Sequence, residues 1–144
     1  MTFQELIQKN NIHPDISSIR PLSLAYLGDT VFDLYIRSLL VAGTNQDPHR
    51  MHEKATKLVN ATSQARLMRT ILEILTEEEM TVFRHGRNQR PLSLPKNQSP
   101  VDYKVATGLE TLLGYLYLKQ QEDRILELLE YGLSKVEIGK EQHE

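Results

Sequence analysis

The sequence predicts an all-α fold, and three observations carry that prediction. Apolar residues recur at spacings of three and four along nearly the whole chain, whereas the alternation of a half-buried strand is almost absent. Helix-entry signals, a capping side chain followed by proline, precede two of the apolar stripes, at Asp47 with Pro48 and at Ser99 with Pro100. The chain has 144 residues, 40% hydrophobic and 25% charged, which is enough to bury one core without disulfide or metal staples. A single domain over residues 1–144 is expected.

A short first helix is predicted from Phe3 to Gln8. The second begins near Pro21, whose fixed φ suits a first turn, and runs to about Val41, ended by Gly43. From Asp47 onward, Met51, Ala55, Leu58, Val59, Leu67, Ile71 and Leu75 form one apolar stripe, read as the longest helix with a break near Thr62. Thr76 and Glu79 have capping-box spacing and open a short helix toward Arg84. His85 to Ser99 holds two prolines, a glycine and no helical stripe, so a loop is expected there, of a length that is often functional. Ser99, Pro100 and Asp102 then start the helix of "SPVDYKVATGLETLLGYLYL", and "EDRILELLEYGLSKV" is an amphipathic last helix.

With no Cys there is no disulfide framework, thiolate nucleophile or Cys-based zinc site. The N-terminal "MTFQELIQKN" lacks the apolar run of a signal peptide, and no stretch reaches the roughly 18 apolar residues of a membrane span. A soluble, cytoplasmic protein without membrane contact is expected. The net charge of -2 hides an uneven distribution. Arg84, Arg87, Arg90, Lys96 and Lys104 face one acid, Asp102, a local net of +4, while Lys119 to Glu144 holds four bases and seven acids, a net of -3. The basic segment points to a local anionic contact.

The stretch "LSLAYLGDTVFDLYIRSLL" places Gly28 and Asp29 in the middle of an apolar helix, where glycine costs about 1 kcal/mol relative to alanine. Helical spacing puts Leu22, Ala25, Asp29 and Asp33 on one side, with Leu24, Leu27, Val31 and Leu34 largely on another. In the later helix Thr107, Glu110 and Gly114 fall together, with Leu109, Leu112, Leu113 and Leu116 around the rest. If the two helices pack through Gly28 and Gly114, Asp29 and Glu110 could share a cation that relieves both carboxylates. The plainer alternative is two solvated charges and two close-packing glycines. His49, His52 and Glu53 in "PHRMHEK" depart from the metalloprotease pattern and lack an evident third ligand, so they read as surface residues. Tyr26, Phe32, Tyr35, Tyr115 and Tyr117 read as core or dimer packing, and the Pro21 helix, apolar on more than one face, as a dimer seam.

Several words of the sequence resemble one family. "LAYLGDTVFDLYIR" resembles the signature helix of ribonuclease III endonuclease domains, "KLVNATSQA" the following helix, and "ATGLETLLGYLYL" the second acidic helix. With "RHGRN" and "LPKN", the pattern from about Arg20 to Leu118 looks most like the Mini-ribonuclease III branch, a stand-alone catalytic domain. The resemblance implies an all-helical homodimer that cuts double-stranded RNA with magnesium, leaving 5'-phosphate and 3'-hydroxyl ends. It also implies a role in maturing precursor large-subunit (23S) ribosomal RNA, possible presentation of the substrate by a ribosomal protein, and no double-stranded RNA-binding domain.

By position, Asp29 corresponds to the principal catalytic aspartate and Glu110 to the metal-binding glutamate; Asp33 is at most an outer neighbour. Larger members of the family carry acids at the positions of Leu22, Ala25 and Thr107, and this chain does not. Because duplex RNA is held through phosphates and 2'-hydroxyls, the expected contacts are Arg84, Arg87, Arg90, Lys96 and Lys104, with Asn88 and Asn97 as neutral partners. The competing readings are a ribonuclease III-like RNA-binding or ribosome-associated protein without catalysis, and a helical protein-interaction module.

Overall fold

The computed structural model describes residues 1–10, 15–90, 96–97 and 99–141, with side-chain surroundings described as far as residue 136. Among the described residues the chain is helical, without strands, as the spacing predicts. The helices are α1 (Phe3–Asn10), α2 (Pro21–Thr44), α3 (Pro48–Leu58), α4 (Ala61–Ile71), α5 (Glu77–Arg87), α6 (Pro100–Leu118) and α7 (Glu122–Glu141). Short 3-10 turns lie at Ile16–Ser18 and Leu72–Ile74.

The entry signals act as expected. Asp47 accepts from the Arg50 N–H at 3.1 Å with Pro48 at the first helical position, and the Ser99 side chain caps α6 at the Asp102 N–H. Thr76 and Glu79 form the reciprocal capping box, with bonds of 3.1 and 2.9 Å.

Three boundaries differ from the sequence expectation. Gly43 does not end α2; it lies inside the helix in open space, and the chain turns at Asn45, whose φ of 47° supplies the left-handed stop. The long helix expected after Asp47 is two helices, because the Asn60 side chain accepts from the Ser63 N–H at 2.8 Å and starts α4 afresh. The break falls at Val59–Asn60 rather than Thr62, and α2, with 24 residues, is the longest helix. Finally, α5 runs through Arg87, so His85, Gly86 and Arg87 belong to the helix expected to end near Arg84 and not to the loop. Of the expected loop, Pro91 to Pro95 and Gln98 lie outside the described residues.

The central element is α6, which packs against α2, α4, α5 and α7. Its Leu109, Leu112 and Leu113 are fully buried, joined by Phe32 and Ile36 of α2, Met68 and Ile71 of α4, Phe83 of α5, and Ile125 and Leu128 of α7. Not every apolar side chain of α2 turns inward: Leu34 is 61% exposed, separated from Leu24 and Val31 with which spacing grouped it.

One buried ion pair fastens α7 to α5. The Arg124 guanidinium donates to both Glu79 carboxylate oxygens at 2.8 Å and to the Ile74 carbonyl at 2.7 Å. Burial pushes the Glu79 carboxyl up, but the Arg124 bonds and the Thr76 cap outweigh it and hold the group below its ordinary value.

Candidate active site

The two mid-helix glycines are explained by how α2 crosses α6. A Cβ on Gly28 would overlap the Glu110 carbonyl oxygen and stand 2.6 Å from its carbon and 2.9 Å from the Gly114 nitrogen. A Cβ on Gly114 would overlap the Leu24 carbonyl oxygen and stand 2.8 Å from its carbon. The helices therefore touch backbone to backbone, and only glycine permits that approach.

Asp29, next to Gly28, and Glu110, whose own backbone meets Gly28, are thereby brought together. Their carboxyl groups lie within hydrogen-bonding reach. Burial, the hydrogen bond to Asp29 and the repulsion of its charge push the Glu110 carboxyl up to about 9. A raised Glu110 carboxyl favours its protonated form at neutral pH, while the backbone crossing of α2 and α6 is what holds the pair together.

The arrangement is an oxygen-only donor set in which burial and the neighbouring Asp29 disfavour a second negative charge. Such a pair suits a small, hard divalent cation, which could replace the shared proton and answer both carboxylates. Among the described residues, no third Asp, Glu or His joins a metal-binding group.

The Glu110 shift also makes stability depend on pH. A carboxyl whose folded value is about 9, against an ordinary 4.5, binds more protons folded than unfolded between those limits. Its contribution is fully present below pH 4.5 and is lost as pH rises through 9. Glu110→Gln is therefore expected to melt higher than the parent at pH 8 to 9 in EDTA, with the gap closing toward pH 5. Thermal melts of both proteins across that range check this.

Asp33, one turn beyond Asp29, is occupied by Arg37 at 3.0 Å. At the other positions singled out by the family resemblance, Ala25 is buried, Leu22 is 38% exposed, and Thr107 donates to the Tyr103 carbonyl at 2.9 Å. His49 pairs with Glu53 at 3.1 Å on an exposed face, in keeping with a surface role.

Of the basic residues, Arg84 and Arg87 lie in the last turn of α5. Arg84 is exposed, Arg87 stacks 5.4 Å from the Phe83 ring centroid, and its Nε donates to Asn88 at 3.2 Å. Arg90, Lys96, Asn97 and Lys104 are exposed as well, the last on α6. Asp102, the one acid among them, accepts from Arg69 of α4 at 2.7 Å, so its charge is answered locally.

Sequence reasoning missed a second glycine crossing, between α5 and α6. A Cβ on Gly86 would overlap the Thr111 hydroxyl and stand 3.1 Å from the Gly108 Cα. A Cβ on Gly108 would stand 2.6 Å from two ring carbons of Phe83. Thr111 is 1% exposed and donates to the Thr107 carbonyl at 2.8 Å, with the Pro21 carbonyl also near at 3.3 Å. The available signal was glycine within helix-forming words, in "RHGRN" and "VATGLE".

An all-helical fold with two facing carboxylates agrees with the family match: residues 22–121 match the Ribonuclease III domain, which places the chain among ribonuclease III-type endoribonucleases. A Mini-ribonuclease 3 of Enterococcus faecalis is 42% identical over 124 residues, covering 85% of this chain and 94% of that one. A Mini-ribonuclease 3 from a Thermoanaerobacter species is 39% identical over 133 residues, covering 92% and 91%. The crystal structure of a Fusobacterium nucleatum protein aligns with a TM-score of 0.77 at 26% identity, over 85% of this chain and 98% of that one. The chain belongs to the Mini-ribonuclease 3 family and is an endoribonuclease.

Proposed function

We propose that this chain is a magnesium-dependent homodimer that cuts double-stranded RNA and matures precursor 23S ribosomal RNA. The observation that carries the reading is the Gly28–Gly114 crossing, which sets Asp29 beside a largely buried Glu110. Asp29 is the principal metal ligand and Glu110 its partner once its proton is released. Bound by this oxygen pair, magnesium supplies the charge that polarises a phosphodiester and activates water for hydrolysis. Phosphates of the duplex are held by Arg84, Arg87, Arg90, Lys96 and Lys104, with Asn88 and Asn97 as neutral hydrogen-bonding partners. The outer face of α2 supports pairing of two copies: Tyr26 is 84% exposed, and Leu34 and Val41 each 61%.

The decisive experiment incubates the purified protein with end-labelled duplex RNA in magnesium and then in EDTA. Cutting in magnesium that EDTA stops is expected. Retention of RNA without cutting, or no interaction at all, would overturn the reading. Changing Arg84 and Arg87 together to glutamine should weaken binding and reduce the slope of log affinity against log salt by about one to two, through the two lost phosphate contacts. Filter binding across a salt series measures it, and an unchanged slope would remove these two residues from the interface.

A further inference from the structure

The cation at the end of α5 is coupled to the acidic pair by direct packing. Phe83 is 2% exposed, and its ring lies so close to Gly108 that a Cβ there would come within 2.6 Å of two ring carbons. Gly108 is two residues from Glu110. The same ring supports the Arg87 guanidinium at 5.4 Å, so Glu110, Gly108, Phe83 and Arg87 form one continuous sequence of chain and contact.

A second fastening lies beside it. Gly86, the neighbour of Arg87, is pressed on Thr111, the neighbour of Glu110. Close-packed interiors deform little, and an aromatic platform orients a guanidinium that would otherwise sample many rotamers. A phosphate gripped by Arg87 is then a fixed distance from the carboxylates. Because the duplex presents phosphates at regular intervals of a few ångströms, that distance decides which bond is presented.

We propose that Phe83 is a positioning residue which, seated on Gly108, holds the Arg87 guanidinium at a set distance from Glu110 and so selects the phosphodiester that reaches the acidic pair. The proposal rests on the reading of Asp29 and Glu110 as the cutting site. Phe83 itself touches neither substrate nor metal.

The test compares the parent chain, Phe83→Leu and Arg87→Lys on one end-labelled duplex. Cut positions are mapped to the nucleotide, kcat and KM are measured separately, and the bound duplex is footprinted with hydroxyl radicals in EDTA. Phe83→Leu should leave KM within about twofold while kcat falls by about ten- to a hundredfold, the cost of misplacing a substrate by about 1 Å, and cuts should spread to neighbouring bonds. Arg87→Lys keeps the charge and leaves the core intact, so it should spread the cuts with no change in melting temperature.

Parental cut positions in both variants, or a lower melting temperature in Phe83→Leu with an unchanged cut pattern, would overturn the proposal. Should Phe83→Leu fail to fold, the Arg87→Lys pattern decides. Failure of the parent chain to cut would count against the acidic pair instead. The footprint would then decide on Phe83, with a displaced edge in the variants supporting the proposal and a parental edge overturning it.

Discussion

Asp29→Asn is expected to lower single-turnover cleavage of duplex RNA by about a thousandfold or more, while the helical fold and its melting temperature stay close to the parent. Asparagine preserves the shape of the side chain and an oxygen that can accept the Glu110 proton, but removes the charge that would hold a cation. Loss of one well-placed electrostatic group costs about 10²–10³ in rate, and here it also takes away one of only two proposed ligands. Asp29 is exposed, so no buried group is stranded by the change. Removing its charge also removes one of the three causes that raise Glu110. Circular dichroism and a single-turnover assay decide the matter together: near-parental turnover would dismiss Asp29, and an unfolded variant would show that its role is structural.

Gly28→Ala should be far more damaging to the fold than its single methyl group suggests. The added carbon would overlap the Glu110 carbonyl oxygen, and both sides of the contact are helix backbone, so no side chain can swing aside. Overpacking of this kind costs about 1–3 kcal/mol and sometimes more, against a total stability of about 5–15 kcal/mol. The helices would have to separate or slide, and either movement parts Asp29 from Glu110. Gly43→Ala, on the same helix but in open space, should instead stabilise by up to about 1 kcal/mol. Urea denaturation of the two variants gives opposite signs if the crossing is as described, and equal effects would contradict it.

The parts of the molecule legible in the sequence were those written in local signals. Asp47 with Pro48, Ser99 with Pro100, and Thr76 with Glu79 mark helix starts because the bonds involved span only a few residues. The break between α3 and α4 was misplaced because the apolar stripe continues on both sides of it, and the Asn60 cap decides the boundary. The α2–α6 contact was readable as a conditional statement, since each helix carries a glycine and an acid, though spacing cannot establish that two distant helices meet. Gly86 had no acid beside it to mark a meeting with α6, and Leu34 is exposed because helix spacing fixes neighbours on a face but not which face another element covers.

The clamp between Arg124 and Glu79 bears on how the last helix joins the core. Glu79 is buried on α5, yet its counter-ion arrives only with the last helix. Without α7 the Glu79 carboxylate would keep only the Thr76 N–H as a partner, with no cation to answer its charge in a buried position. Closing that corner of the core is thereby tied to the docking of α7 against α5.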